Sequence, residues 1–256
     1  MPTALSINLN KIALLRNSRE GNNPSVVEFG KLCIDNGCHG LTVHPRPDLR
    51  HIRPQDVLEL SALVSSHHDD QVEFNIEGNP LAQSNTDYPG FIKLVEEARP
   101  HQTTLVPDSE QQLTSDHGFD LTRTHQSLSP IIEKLKACNI RVSLFMDPDI
   151  EQIQIAHALG ADRIELYTGP YADAYSQKSQ ELDTLHQRYH QAAIAAQELG
   201  LGVNAGHDLN LENLGQFLRI PGIREVSIGH GLTVDALKMG YKNAVKNYLA
   251  ICSQSH

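Results

Sequence analysis

Short apolar runs alternate along the chain with stretches whose apolar positions recur at helical spacing. The short runs predict eight strands, at residues 5–8, 41–44, 72–77, 103–106, 141–146, 163–167, 202–205 and 225–228. The helical spacing predicts helices at residues 24–36, 53–64, 91–98, 124–137, 148–159, 180–199, 211–218 and 235–251. Two long segments between these elements, 107–122 and 168–179, are predicted loops and candidate covers for an active site.

Strands that alternate with helices indicate parallel pairing through crossover helices. Eight such units in 256 residues match the count of a (β/α)8 barrel, although the same alternation also builds an open doubly wound sheet. No Gly-x-Gly-x-x-Gly follows the first strand, which counts against a dinucleotide-binding sheet. No linker or low-complexity tract divides the chain. We therefore predict an α/β protein with one (β/α)8 TIM barrel domain over residues 1–256.

Polar side chains recur where the predicted strands end, at Asn8, His44, Glu77, Asp147, Thr168, His207 and His230. Barrel enzymes build their active sites on this carboxyl-terminal face, so we expect the site there. The stretch 40–51 is the densest, because Arg46, Asp48, Arg50 and His51 follow His44 directly. Alternating prolines in this stretch exclude a helix and stiffen the loop. It is therefore a candidate for proton transfer by histidine and anion binding by arginine.

Two carboxylates are candidates because of their place in strands. Glu165 lies between Ile164 and Leu166, so it should face the barrel interior, where a carboxylate is costly unless it is paired or used. Glu77 ends the third strand and points the same way as Asn75. Small residues around His207 and in the predicted turn Gly229–Gly231 follow strands seven and eight, where barrels frequently bind phosphate.

Charge and hydropathy remove several classes of function. A net charge of −10 argues against nucleic-acid binding but not against a small anionic substrate. No apolar run approaches the ~18 residues of a membrane span, so we expect no membrane partner. No basic and apolar leader precedes the first strand, so we expect a cytoplasmic protein. Histidines at 67–68 and at 186 and 190 resemble metal ligands, but Gln187 breaks the zinc-protease pattern and we expect no metal site.

Six stretches of the chain together resemble one known family. They are residues 12–19, 40–52 (Gly-Leu-Thr-Val-His-Pro-Arg-Pro-Asp-Leu-Arg-His-Ile), 142–147, 164–174, 203–207 (Val-Asn-Ala-Gly-His) and 228–230. Taken together and in this order, the six stretches resemble the pyridoxine 5′-phosphate synthase family. The resemblance extends from near residue 5 to near residue 245. The resemblance implies a (β/α)8 barrel that acts as a ring-closing transferase in vitamin B6 synthesis.

The resemblance further implies a reaction and an assembly. The family joins 3-amino-2-oxopropyl phosphate to 1-deoxy-D-xylulose 5-phosphate and yields pyridoxine 5′-phosphate, phosphate and water. No metal or organic cofactor is expected, and a homo-oligomer, an octamer, is expected. Every step of such a condensation moves a proton, so several acid and base groups around one cavity are required. Two phosphorylated substrates require two anion sites.

Residue roles carried over by position form two groups. His44 and Glu77 resemble the family's proton acceptors, His207 its proton donor and Glu165 its transition-state stabiliser. The expected contacts to deoxyxylulose phosphate are Asn10, Lys11, Arg46, His51 and Thr114, and those to the aminoketone phosphate are Asn8, Arg19, Gly229 and His230. The backbone amide of Asp208 is expected to bind phosphate.

The chain departs from the family pattern at two places. Many members carry Asp-His where this chain has Asn10 and Lys11, and Gly where it has Asp208. The Asp208 carboxylate is expected to turn away from the phosphate. Three alternatives stay open: another phosphosugar barrel enzyme such as an isomerase or lyase, an inactive relative that only binds phosphosugars, and a metal-dependent hydrolase suggested by the 14 histidines.

Overall fold

Parallel strands that pair in sequence order close into a barrel in the computed structural model, which describes residues 2–67, 72–109 and 111–254. Within these residues the strands are β1 (Ala4–Asn8), β2 (Gly40–Val43), β3 (Glu73–Gly78), β4 (Gln102–Leu105), β5 (Arg141–Met146), β6 (Arg163–Tyr167), β7 (Gly202–Gly206) and β8 (Ile223–Ile228). Parallel pairing of β1 with β8 completes the closure. The prediction of a (β/α)8 barrel is confirmed.

Helices follow the strands on the outside. In the same described residues they are α1 (Asn10–Arg16), α2 (Val26–Asp35), α3 (Pro54–Ser65), α4 (Phe91–Ala98), α5 (Leu121–Ala137), α6 (Ile150–Ala158), α7 (Gly169–Ser176), α8 (Leu182–Glu198), α9 (Leu214–Phe217), α10 (His230–Met239) and α11 (Tyr241–Cys252). None of these helices is long and apolar enough to cross a membrane.

One helix was missed, and two predictions about helices and loops were wrong. Residues 10–16 form α1, whose buried side chains include Ile12 and Arg16, so its inward face is not purely apolar and lacks the usual pattern. The predicted loop 168–179 is mostly α7, because Pro170 stands in the first turn, where its missing N–H costs nothing. The predicted final helix 235–251 is two helices, since Gly240 breaks it with a φ of 84°.

Side chains alternate along each strand between the helix layer and the barrel interior. In β6, Ile164 and Leu166 are fully buried on the helix side. Glu165 faces inward, because its Oε2 accepts a 3.3 Å hydrogen bond from Thr104 of β4, on the far side of β5. The barrel interior is also polar at the amino-terminal ends of the strands, where Arg141 of β5 donates a hydrogen bond to Glu73 of β3. This barrel therefore encloses ionisable groups in a space that other barrels fill with aliphatic side chains.

Candidate active site

Strand ends bring four polar side chains together at the carboxyl-terminal mouth. Glu77 lies at the centre: Asn8 of β1 donates to its Oε2 at 3.3 Å, and Ser227 of β8 donates to its Oε1 at 3.4 Å. His44 follows β2, and its Nδ1 lies 3.9 Å from Glu77 Oε2. Because these groups come from β1, β2, β3 and β8, the closure of the barrel itself assembles them.

The two interior carboxyl groups have strongly perturbed acidity. Burial raises the pKa of Glu165 to about 8, the neighbouring Glu225 adds to the rise, and the hydrogen bond from Thr104 opposes it. Burial, with Glu165 and Asp108 nearby, holds the pKa of Glu77 well above its usual range. Both carboxyl groups therefore hold their protons to a higher pH than a solvated glutamate does.

His44 has the opposite character. Burial lowers the pKa of its imidazole to about 3, and the positive charges of Arg46 and Arg50 add to the shift. Its ring is therefore neutral and can accept a proton. Asn10 fixes the backbone at this point, because its Oδ1 accepts the His44 N–H at 2.9 Å. The predicted contact residue Asn10 thus also holds the strand end that carries the histidine.

His51 lies beside His44, with ring centroids 6.1 Å apart. Burial likewise lowers the pKa of His51 to about 3, with the neighbouring His44 and Arg46 adding to the shift. Its Nδ1 accepts the N–H of Ile52 at 2.9 Å, so the proton of the neutral ring is on Nε2. His51 is therefore able to bind an anionic oxygen as a neutral hydrogen-bond donor.

Arg46 is buried and holds the loop that follows β4. Its Nη1 donates to Asp108 Oδ2 at 3.0 Å, and its Nη2 donates to the carbonyls of Ser109 at 2.7 Å and Gln112 at 3.0 Å. Arg50 reinforces the same loop through the Gln112 carbonyl at 2.8 Å. The predicted phosphate contact Arg46 is thus engaged with protein groups, and Arg50 acquires a structural partner that the sequence did not indicate.

Asp108 is a residue of the mouth that the sequence analysis missed. It is buried against Arg46, and its Oδ2 lies 3.4 Å from His44 Nε2. A signal was present, since an acidic residue follows the fourth strand as it follows the third and the fifth. The predicted loop 107–122 included this position, so Asp108 was not considered as a residue of the mouth.

The loop after β4 crosses the mouth to His207. Thr114 Oγ1 lies 3.0 Å from His207 Nε2, and the ring of Tyr167 packs edge-on against the His207 ring at 5.1 Å. His207 Nδ1 lies 2.7 Å from Asp208 Oδ2. That contact is the main cause of a lowered pKa at Asp208. The Asp208 carboxylate is thus turned to the histidine, and the predicted contacts Thr114, His207 and Asp208 form one cluster.

The start of α10 is a candidate position for binding an anion. Gly229 precedes the helix and packs closely on Asn8, since an added Cβ would lie 3.0 Å from the Asn8 Cβ. His230 is exposed in the first turn, where helix N–H groups point at solvent and favour an anion. The predicted Gly229–Gly231 turn is thus the beginning of a helix.

The other predicted anion contacts lie on or after α1. Lys11 is half-buried in its first turn, close enough for its charge to help lower the pKa of Asp208. Arg19 is exposed beyond the end of α1.

A family model for the pyridoxal phosphate biosynthesis protein PdxJ matches residues 5–254. The chain belongs to the PdxJ family. A pyridoxine 5′-phosphate synthase of Xanthomonas axonopodis pv. citri is 53% identical over 100% of this chain and 99% of the relative. The enzyme of the same name from Xylella fastidiosa is 51% identical over 97% of this chain and 94% of the relative. PdxJ membership makes this protein an enzyme of vitamin B6 synthesis.

Solved structures of other families share the fold. A chain of Mycobacterium tuberculosis tryptophan synthase superposes with a TM-score of 0.64 at 14% identity, covering 98% of this chain and 93% of that one. The 3-hexulose-6-phosphate synthase of Salmonella typhimurium gives 0.62 at 14% identity, covering 99% and 100%. At this identity the likeness shows the barrel architecture of the PdxJ protein and nothing of its chemistry.

The histidine pairs considered as metal ligands have other surroundings. His186 on α8 lies with its Nε2 2.9 Å from the Gln216 carbonyl, so it packs against α9 and is not simply a solvated side chain. Residues 68–70 of the histidine and aspartate segment lie outside the described residues. In the ranges that are described, no group of three or more His, Cys, Asp or Glu side chains could hold a metal ion.

Proposed function

We propose that this PdxJ protein joins 3-amino-2-oxopropyl phosphate to 1-deoxy-D-xylulose 5-phosphate, with release of pyridoxine 5′-phosphate, phosphate and water. The observation that carries the proposal is the close approach of a buried imidazole and a buried carboxyl group in one mouth. His44 Nδ1 lies 3.9 Å from Glu77 Oε2, and their pKa values are displaced in opposite directions. Such a pair supplies a base and an acid at the same pH.

The reaction needs a general base and a general acid in succession. The amine attacks a ketone, phosphate leaves, and an enol forms and closes on a carbonyl with loss of water, so protons are removed and returned at each step. Neutral His44 accepts protons, and His207 at the opposite side of the mouth donates them. Glu77 becomes a second base when the cationic amine of the substrate lies beside it, because a nearby positive charge lowers the pKa of a carboxyl group.

Two anion positions suit the two substrates. His51 and Thr114, with the amide of Asn10 and the charge of Lys11, would bind the phosphate of deoxyxylulose phosphate. The amino end of α10 with His230 would bind the aminoketone phosphate, assisted by Asn8 and the Asp208 amide. Arg46 would act there chiefly by holding the loop after β4, and Arg19 would contribute only its long-range charge from its exposed position.

Glu165 lies deeper, and we assign it to charge stabilisation in the transition state. A protonated carboxyl group with a pKa of about 8 is able to donate a hydrogen bond to a developing oxyanion at neutral pH. Thr104 holds its other oxygen.

We also propose that the protein works as a cytoplasmic homo-oligomer, an octamer, without a metal or organic cofactor. Apolar side chains on adjacent outer helices support self-association, because Leu15 of α1 is 57% exposed and Leu237 of α10 is 81% exposed. Light scattering during gel filtration measures the assembly. Unchanged turnover after dialysis against a chelator tests the cofactor claim.

The activity test uses the purified protein with both substrates together and with each alone. We expect a pyridine chromophore and inorganic phosphate only when both substrates are present. Binding without either product would identify an inactive relative. Conversion of deoxyxylulose phosphate alone would identify an isomerase or lyase instead.

A further inference from the structure

Asp108 is held from several sides in the mouth. Its carboxylate accepts from Arg46 at 3.0 Å, and Ser115 donates to it from farther along the same loop. Its backbone carbonyl accepts from Asn79 Nδ2 at 2.6 Å. The side chain is 6% exposed. A carboxylate fixed so firmly and so deeply is placed to orient whatever else it touches.

His44 is a further neighbour of this carboxylate. Asp108 Oδ2 lies 3.4 Å from His44 Nε2, whereas Glu77 Oε2 lies 3.9 Å from the other ring nitrogen. Hydrogen bonds of catalytic groups are often long without substrate and shorten when it binds. The histidine ring therefore has an acidic side chain at each nitrogen, and one of the two, Asp108, is paired with an arginine.

We propose that Asp108 is a positioning residue for His44, holding the imidazole proton on Nε2 so that Nδ1 is the basic atom presented to Glu77 and the substrate. This inference rests on the proposed function for the identity of the reaction but not for the placement of the proton. A neutral imidazole carries one N–H, and its location is set by the better acceptor.

Charge decides which neighbour is the better acceptor. Burial raises the pKa of Asp108, and the hydrogen bond from Ser115 and the charge of Arg46 oppose that rise. Arg46 Nη1 lies 3.0 Å from Asp108 Oδ2, whereas in the described residues no lysine or arginine forms such a pair with Glu77. Asp108 is also the carboxyl group nearer to the ring, so it is the better acceptor, which places the proton on Nε2 and the lone pair on Nδ1.

The arrangement also connects the base to the loop. Asp108 lies near the start of the loop that Arg46 and Arg50 hold and that reaches His207 through Thr114. Movement of this loop away from the mouth would remove the acceptor from His44. The base would then be oriented only while the loop lies over the substrate.

The test compares Asp108→Asn and Asp108→Glu with Glu97→Gln, a control that removes an exposed carboxylate from α4, away from Asp108. Asparagine offers an N–H as well as an oxygen and no longer enforces one tautomer. We expect kcat to fall about 10- to 100-fold, the loss found when partners that orient metal-binding histidines are removed, with KM for both substrates within about twofold. Glutamate is expected to recover part of kcat, and the control to match the wild type.

Two further readouts separate positioning from loop support. In the His44→Asn background, Asp108→Asn is expected to cause no further loss of kcat, because its effect passes through the histidine. Nitrogen-15 spectra of histidine-labelled wild-type protein, with His44→Asn to assign the signal, are expected to show a protonated Nε2 and an unprotonated Nδ1.

Several outcomes would overturn the inference. They are a proton on Nδ1 or an equal mixture of tautomers in the wild type, a rise in KM alone, or an independent loss of kcat in the double variant. The spectra need no turnover. An inactive wild type would therefore refute the proposed function while the tautomer still decides the role of Asp108.

Discussion

Replacement of Glu165 by Gln tests the electrostatics of the barrel interior. The amide is nearly isosteric with the protonated carboxyl group and carries no charge at any pH. Glu165 is 2% exposed, and burial raises its pKa from 4.5 to about 8. Glu165→Gln removes this titration while it keeps a polar group beside Thr104.

The direction of the change in stability with pH follows from the difference in proton binding between the folded and unfolded states. Between the two pKa values the unfolded chain has lost the Glu165 proton while the folded protein retains it, so the unfolded state binds fewer protons and stability falls as pH rises. The slope is about 1.4 kcal/mol per pH unit for one group. From pH 5 to pH 7 the wild type should therefore lose about 3 kcal/mol that the variant does not lose.

Urea unfolding of both proteins at several pH values between 5 and 9 measures this difference. The stability of Glu165→Gln relative to the wild type should rise with pH and level off above about pH 8. Glu97→Gln on α4, an exposed site, controls for loss of a carboxylate as such. A difference that stays constant across this range would refute the account of a buried, protonated Glu165.

Three other substitutions test separate parts of the structure. His44→Asn should lower kcat by about 100-fold or more with little change in substrate affinity, measured by initial rates and calorimetry; near-normal turnover would contradict its role as a base. Arg16→Met should cost about 3–5 kcal/mol in urea unfolding, because Asp56, bound to Arg16 Nη2 at 2.9 Å, would stay buried and unpaired. Gly206→Ala should lower kcat by about 100-fold while the fold is retained, because the added Cβ would lie 2.3 Å from Glu165 Oε1 and displace that carboxyl group. An unchanged kcat would show that the position of Glu165 is unimportant.

The barrel could be predicted because its strands follow simple rules. A parallel strand buried on both faces gives a short apolar run, and the run ends where a polar side chain reaches the mouth. That rule placed Glu165 in the interior between Ile164 and Leu166, and it brought Asn8, His44 and Glu77 to one place. Closure of the sheet into a barrel was predicted from the number of strand–helix units, and the alternation of strands and helices gives that number.

Features that depend on contacts between distant segments could not be predicted. Asp108 acquires its surroundings from Arg46, 62 residues away, and no local pattern records that pairing. The helix α1 buries Arg16 against Asp56, so a charged residue occupies a position where an apolar one marks a helix face. The segment of α7 was predicted as a loop, although a proline in a first turn also begins helices and only packing on the barrel distinguishes the two cases.

The most direct measurement for the central claim is a crystal structure of the protein soaked with pyridoxine 5′-phosphate and inorganic phosphate. The account predicts the pyridine ring in the mouth between His44 and His207, with its phosphate at the amino end of α10. Free phosphate is predicted near His51 and Thr114. A product bound away from the carboxyl-terminal mouth, or one that leaves His44 and Glu77 without contact, would contradict it.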